Sequence, residues 1–238
     1  MTDQSDLIFL LVYNGLKDHL MSPKIVDKKQ KTKEIAHAAL KLFSLKGYAA
    51  TSVGQIAKAA SIGKGTVYEY FHTKEDIFIA AIMKWMSHFE LQLSERIKGI
   101  KDPAARLRAV AETNMELVEP ANPTDLKLSL EFLRHSMLED GVLYKHRYLI
   151  KDMHAGMRKI VVDTLLNGIS KGVFHPEIAR DAEKIAINLL AYIDGISLHS
   201  ILSKNYFTLK EQIDLYMQNL IHEISADPIR PTNRNIED

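Results

Sequence analysis

Cysteine is absent from all 238 residues. Disulfide frameworks, Cys-ligated zinc or iron–sulfur centres and thiol nucleophiles are therefore excluded, and the reducing cytosol is the simplest compartment. Glycine and proline are sparse, at 11 and 7, too few for a collagen-like, disordered or turn-dense all-β chain. Long helices are the default that remains. The only strongly apolar run near a terminus is short: residues 7–16, LIFLLVYNGL, cannot span a bilayer, and no Lys or Arg precedes them, which argues against a signal peptide or membrane anchor. Residues 1–20 read equally as carrying a short extra helix packed on the body or as an upstream extension with Met21 the true start.

What is present is ordinary in amount and uneven in placement. A composition of 46% hydrophobic and 26% charged residues supports a buried core in one large domain or two smaller ones. The net charge of +1 conceals a division: residues 24–74 hold ten Lys against Asp27, Glu34 and Glu69, giving +7, while 1–23 sum to −2 and 75–238 to −4. Clustered Lys attracts phosphate and releases counterions, so a polyanion-binding module joined to a mildly acidic body fits the pattern. A solvated Lys-rich helix face would give the same count.

Periodicity predicts an all-α chain. Ile35, Ala38, Ala39, Leu42 and Phe43 form one stripe of a helix over 28–46 that Gly47 closes. Ser52 with Gln55 makes a capping box opening a short helix through Ile56, Ala57 and Ala60. Ser61-Ile62-Gly63 is its turn, Lys64 to Tyr70 is a third helix with Val67 and Phe71 inward, and Thr73 with Glu75 and Asp76 caps a fourth. Further helices are predicted near 73–98, 103–118, 124–138, 142–170, 177–203 and 208–225, with Pro103, Pro120, Pro123 and Pro176 as breaks and 226–238 as a polar tail.

Two short helices joined by a tight turn inside the +7 segment have the form of a helix-turn-helix. Lys64 can donate to a phosphate or guanine, Gly65 permits close backbone approach, and Thr66 offers a hydroxyl and a methyl. Tyr68 and Tyr70 bring phenolic donors, and Lys74 stands at a helix N-terminus that favours phosphate.

The run IAHAALKLFSLKGYAATSVGQIAKAASIGKGTVYEYFHTKEDIF at 35–78 resembles the tetracycline-repressor (TetR) family of bacterial regulators. The matching features are Ala39, Phe43, Gly47-Tyr48, Thr51-Ser52-Val53, Ile56-Ala57, Gly65-Thr66, Tyr68, Tyr70-Phe71, Lys74-Glu75 and Ile77, with a weaker echo at Gly172, Phe174, Ala186 and Ile193-Asp194-Gly195. Two positions depart from the pattern, which has Gly where Ser61 stands and a hydroxyl residue where Gly63 stands. The resemblance implies an N-terminal helix-turn-helix domain over 24–72 after an extension at 1–23, then a ligand-binding and dimerisation domain over 73–225 and a flexible tail at 226–238. It implies a repressor that binds a palindromic DNA operator as a homodimer and is released by a small effector. Thr51, Ser52, Lys64, Gly65, Thr66, Tyr68, Tyr70 and Lys74 are then the DNA-binding set, with Lys64, Gly65 and Thr66 near base edges and Tyr68, Tyr70 and Lys74 on phosphates.

Catalytic patterns fail on spacing. Gly63-Lys64-Gly65-Thr66 lacks the first glycine of a phosphate loop, since residue 58 is Lys, and Gly65 separates Lys from Thr. His222-Glu223 lacks a second His, Glu131 with His135 is an i, i+4 pair, and His146 and His154 lack the Glu-x-x-His repeats of di-iron bundles. No enzyme, metal site or cofactor is expected.

Met83, Met86, Phe89, Met115, Phe132, Met137, Met153 and Met157 supply soft apolar side chains that fill a core or line a cavity. The candidate ligand set is Met115, Phe132, His135, Met153, His154, Met157 and Tyr192, which suits an apolar or aromatic effector. The last two helices are apolar on more than one face, so Ile185, Leu189, Ile193, Ile213, Met217 and Leu220 are the candidate dimer seam. The competing classes are a helical lipid- or metabolite-binding protein without sequence-specific DNA binding and an α-helical metal enzyme.

Overall fold

The computed structural model describes residues 23–116, 123–203 and 206–226. The expected N-terminal helix within 1–20 and all but the first residue of the expected tail lie outside them. The described helices are α1 (Pro23–Lys46), α2 (Val53–Ala59), α3 (Lys64–Tyr68), α4 (Lys74–Ile97), α5 (Pro103–Met115), α6 (Pro123–Met137), α7 (Arg147–Ser170), α8 (Ala182–Ser203) and α9 (Leu209–Ile224). Short 3-10 turns at Tyr144–His146 and Pro176–Asp181 precede α7 and α8.

The chain divides into two compact units, one of residues 1–95 and 119–152, the other of 96–118 and 153–238. The sequence boundary near residue 72 and this spatial division do not coincide. Aromatic packing is the reason: Phe43 and Tyr48 meet Phe78 of α4, with ring centroids 5.2 and 4.8 Å apart, and His135 of α6 closes the cluster at 4.8 Å from Tyr48 and 4.7 Å from Phe78. The N-terminal helices thus share their core with α4 and α6.

Within this first unit, Ile35, Ala36, Ala39 and Phe43 of α1 are fully buried at helical spacing. Each large side chain so buried contributes about 1.5–3 kcal/mol. Gly47, at φ +80°, ends α1 by donating its N–H to Phe43 O at 2.8 Å. The capping box forms as the sequence predicts: Gln55 N–H donates to Ser52 Oγ at 3.3 Å and Ser52 N–H to Gln55 Oε1 at 2.9 Å. At the start of α4, Asp76 N–H donates to Thr73 Oγ1 at 3.0 Å while the Asp76 carboxylate accepts from the N–H groups of His72 and Thr73. The helix predicted over 142–170 starts late, at Arg147, because residues 142–146 wind as a turn and the 3-10 helix Tyr144–His146 instead. Just before it, a Cβ on Gly141 would come 2.3 Å from His135 O, so the glycine allows a close pass by the end of α6.

In the second unit α5 packs between α8 and α9. Asp102 caps α5 at its Ala104 and Ala105 N–H groups, with Pro103 in the first turn. Leu107, Val110, Val161, Leu165, Phe174, Leu189, Ile213 and Met217 form the core. A Cβ on Gly168 would lie 2.0 Å from Phe174 Cδ2, so the glycine seats that ring. Phe174 and Ser225 form an isolated antiparallel bridge that ties the end of α9 to the α7–α8 connection.

Candidate nucleic-acid interface

The α2–turn–α3 hairpin is held by buried Val53, Ile56, Ala57 and Val67, and Ile62 N–H donates to Ala57 O at 3.0 Å. Ser61 carries the turn at φ +56°, a left-handed conformation that Gly adopts freely and that strains other residues by about 1–2 kcal/mol. Gly63 is the N-cap of α3 at φ −69°, with no side chain to accept from the first turn. The two departures from the family pattern are therefore exchanged: Ser stands where Gly would be relaxed, and Gly where a hydroxyl would cap.

Winding continues past Tyr68, since Glu69 N–H donates to Thr66 O and the N–H groups of Tyr70 and Phe71 to Val67 O. Val67 and Phe71 face the core. Lys64, Gly65, Tyr68 and Glu69 are exposed, and Thr66 and Tyr70 are half-buried at the edges. A Cβ on Gly65 would meet nothing within 4 Å, so the backbone there is open to close approach. Sequence reasoning placed Lys64, Gly65, Thr66, Tyr68 and Tyr70 on this surface. It counted Glu69 only as a charge.

Two expected DNA contacts have other work. Thr51 is buried, and its hydroxyl donates to Gly47 O at 2.8 Å. It holds the α1–α2 corner. The Lys74 ammonium donates to Tyr48 O and Thr51 O, each at 2.8 Å, and stands 4.2 Å from the centre of the Tyr48 ring. Burial lowers its pKa from the ordinary lysine value, with the Glu131 carboxylate opposing. Ser52 is exposed, and its hydroxyl is occupied as the α2 cap.

Helix α6 grips the same corner with one row of side chains. Lys127 Nζ donates to Leu45 O at 2.7 Å. Glu131 Oε1 occupies the space that a Cβ on Gly47 would need, 2.5 Å away, and His135 stacks into the aromatic cluster. Val142 N–H donates to His135 Nδ1 at 3.2 Å, while Nε2 lies 3.4 Å from Glu131 Oε2 and 3.3 Å from Arg134 Nη1. Burial, then Arg134, holds its pKa below the usual histidine value, against Glu131 and Asp140. His135, expected as a ligand contact, thus lies buried in the aromatic cluster with its ring nitrogens facing Val142 N–H, Glu131 and Arg134.

The remaining ligand candidates are dispersed. Phe132 lies in the first unit, 6.3 Å from Trp85 between ring centroids, whereas Met115, Met153, His154, Met157 and Tyr192 lie in the second. His154 is exposed, and Met157 is buried in the core. The Tyr192 ring stacks on Tyr216 at 3.8 Å and its hydroxyl donates to Gln212 O, joining α8 to α9. Beside that stack, Tyr216, Leu220, Ile178, Ile185 and the charged Glu177, Arg180, Asp181 and Glu223 line a groove of about 400 Å³.

The residues expected at the dimer seam divide between the core and a groove. Leu189, Ile193, Ile213 and Met217 are at most 2% exposed, packed in the chain's own core, and Ile185 and Leu220 line the groove. The opposite face of α8 carries a second stripe: Ile187 is 50%, Leu198 41% and Leu202 74% exposed, with Ala191 between them and Leu215 of α9 54% exposed. The segment Pro176–Ser203 is apolar and long enough to cross a membrane, and only 22% of its most apolar window is buried in the single chain.

Residues 35–81 match the bacterial regulatory proteins of the tetR family, and residues 103–224 match the C-terminal domain of BetI-type transcriptional repressors. The chain belongs to the TetR family. It is a DNA-binding transcriptional regulator with a BetI-type C-terminal domain, in a family without enzymatic activity. Among curated relatives, the regulator HbdR of Aromatoleum sp. (strain CIB) is 24% identical over 83% of this chain and 86% of its own. The fatty acid metabolism regulator protein of Bacillus subtilis (strain 168) is 31% identical over 61% of this chain and 71% of its own. Among solved structures, a TetR-family regulator from Cytophaga hutchinsonii has a TM-score of 0.70 at 20% identity, covering 88% of this chain and all of its own. A regulator from Saccharomonospora viridis solved with choline has a TM-score of 0.65 at 22% identity, covering 82% and 98%. Both structures share this chain's fold.

Proposed function

We propose that this TetR-family chain represses transcription in the cytoplasm as a homodimer on a palindromic operator and is released by a small apolar or aromatic effector. The observation that carries the dimer is the second apolar stripe of α8, Ile187, Ala191, Leu198 and Leu202, diametrically away from Leu189 and Ile193 in the core. A helix apolar on opposite faces needs cover on both, and a two-fold related copy supplies the same stripe in return. The soft side chains of Met115, Met153 and Met157 support the effector class. One observation favours a small organic cation as a second reading: the half-buried Glu90 carboxyl, whose pKa burial raises, has no hydrogen-bond or ion-pair partner among the described residues. Choline, bound by the Saccharomonospora viridis relative, is such a cation.

The test begins with native mass spectrometry of the purified full chain, to give subunit number and any retained small molecule. Operator duplexes selected from a random library then report affinity with and without that molecule. The ligand must favour the non-binding conformation, since equal affinity for both would shift nothing. A monomer at micromolar concentration, or a dimer whose operator affinity no apolar, aromatic or cationic candidate changes, overturns the corresponding part.

A further inference from the structure

The outward face of α3 has a negative centre. At 100° per residue, the direction from Glu69 to Val67, and from Glu69 to Phe71, is about 200° around the helix. Both of those side chains are buried, Val67 fully and Phe71 almost so, and the hydrogen bonds from Glu69, Tyr70 and Phe71 back to Thr66 and Val67 keep the winding helical through this turn. Glu69 therefore projects opposite the core. Gly65 lies one turn earlier on the same line, with open space around its α-carbon. Lys64 and Tyr68 flank the line on one side, Thr66 and Tyr70 on the other.

This placement is unusual for a carboxylate in a segment of net charge +7. Its two companions in acid are Asp27, near the start of α1, and Glu34, which is bonded to Lys31 at 2.6 Å and to Gln30. The Glu69 carboxylate has no hydrogen-bond or ion-pair partner among the described residues, only the backbone N–H being bonded, to Thr66 O. Phosphates repel it. The one base edge that offers a donor without an adjacent acceptor is the cytosine N4 amino group, which Glu accepts in the major groove. We infer that Glu69 is a specificity-determining residue that selects cytosine by accepting from its N4–H, while the bare backbone at Gly65 lets the helix sink far enough for that contact.

The inference rests on DNA binding by α3. The experiment uses the full chain, the Glu69→Ala and Glu69→Gln variants, and selection from a random-sequence duplex library, with affinities then measured by fluorescence anisotropy at fixed salt. The wild type should select a motif with cytosine at one position that Glu69→Ala no longer specifies, all other positions being kept. Changing that cytosine to thymine should weaken the wild type about 5- to 100-fold and leave Glu69→Ala within about twofold. Glu69→Gln should move the preference toward adenine, whose N6 and N7 an amide can bridge. Because Glu69 is exposed, both variants should melt with the wild type. Three results overturn the inference: a Glu69→Ala motif identical to the wild type, uniform tightening on every sequence, which would make Glu69 a repulsive charge alone, or uniform weakening. A wild type that selects no motif would overturn sequence reading by this chain as a whole, an outcome distinct from the other three.

Discussion

Replacing Lys74 by Met removes the ammonium and keeps the apolar stem, which separates two roles for one residue. As a clip, Lys74 joins the N-terminus of α4 to the α1–α2 corner through Tyr48 O and Thr51 O at 2.8 Å each. Hydrogen bonds to a charged group are worth about 1.5–3 kcal/mol apiece. Both carbonyls are only partly buried, so water can replace much of what is lost, and a total near 2–3 kcal/mol is the working figure. For a chain of this size that corresponds to a fall of about 4–12 °C in melting temperature. Thermal unfolding followed by circular dichroism reads the clip, and the dependence of DNA affinity on salt reads any phosphate contact. The clip predicts a lower melting temperature with the slope of log K against log salt unchanged. A variant that melts with the wild type while its slope drops by about one unit would refute the clip and return Lys74 to the backbone of the DNA.

The pH response of the first unit should centre on His135. Burial depresses its pKa in the fold, so the unfolded chain takes up the proton first as pH falls below about 6.5, and stability present above that pH is lost beneath it. Urea midpoints measured from pH 7.5 to 5.5 should fall in the wild type and fall less steeply in His135→Gln, burial of His37 keeping part of the slope; equal slopes would reject the assignment. Leu198→Glu should leave a folded monomer by light scattering, whereas Ile193→Glu, charged inside the core, should lose the fold; a dimeric Leu198→Glu protein would sink the stripe as the seam. Gly168→Ala must displace the buried Phe174 ring and should lose about 1–3 kcal/mol, so an unaltered unfolding curve would show that the ring moves without penalty.

Helix positions and caps were legible because they are local. Pro103 and Pro123 open helices, Gly47 closes one, and Ser52 with Gln55 is a box four residues long. What the sequence left open depends on chain segments far apart. Periodicity found that α8 is apolar on several sides, yet Ile185, Leu189 and Ile193 gave no sign of whether α5 and α9 of the same chain or another surface would cover them. Thr51 and Lys74 were placed in the DNA-binding set with no sign of their bonds to Gly47 O, Tyr48 O and Thr51 O, because these acceptors are backbone atoms that no residue pattern marks. Phe132 and Met157 were grouped by chemistry, and the fold assigns them to different units. Glu69 was overlooked since counting net charge treats a carboxylate as a subtraction, whereas its direction on α3 is what carries information.

The division between the compact units falls within α4, after Glu95, and within α7, after Asp152. From Glu90 to Ile97, α4 has neither Gly nor Pro, so that stretch of helix is stiff. Gly156 sits four residues past the crossing in α7, with nothing near its α-carbon that would explain the missing side chain. A mid-helix glycine weakens a helix by about 1 kcal/mol relative to alanine, which gives α7 a compliant point where α4 has none. The two stretches therefore differ in stiffness: the end of α4 resists bending, whereas α7 yields first at Gly156.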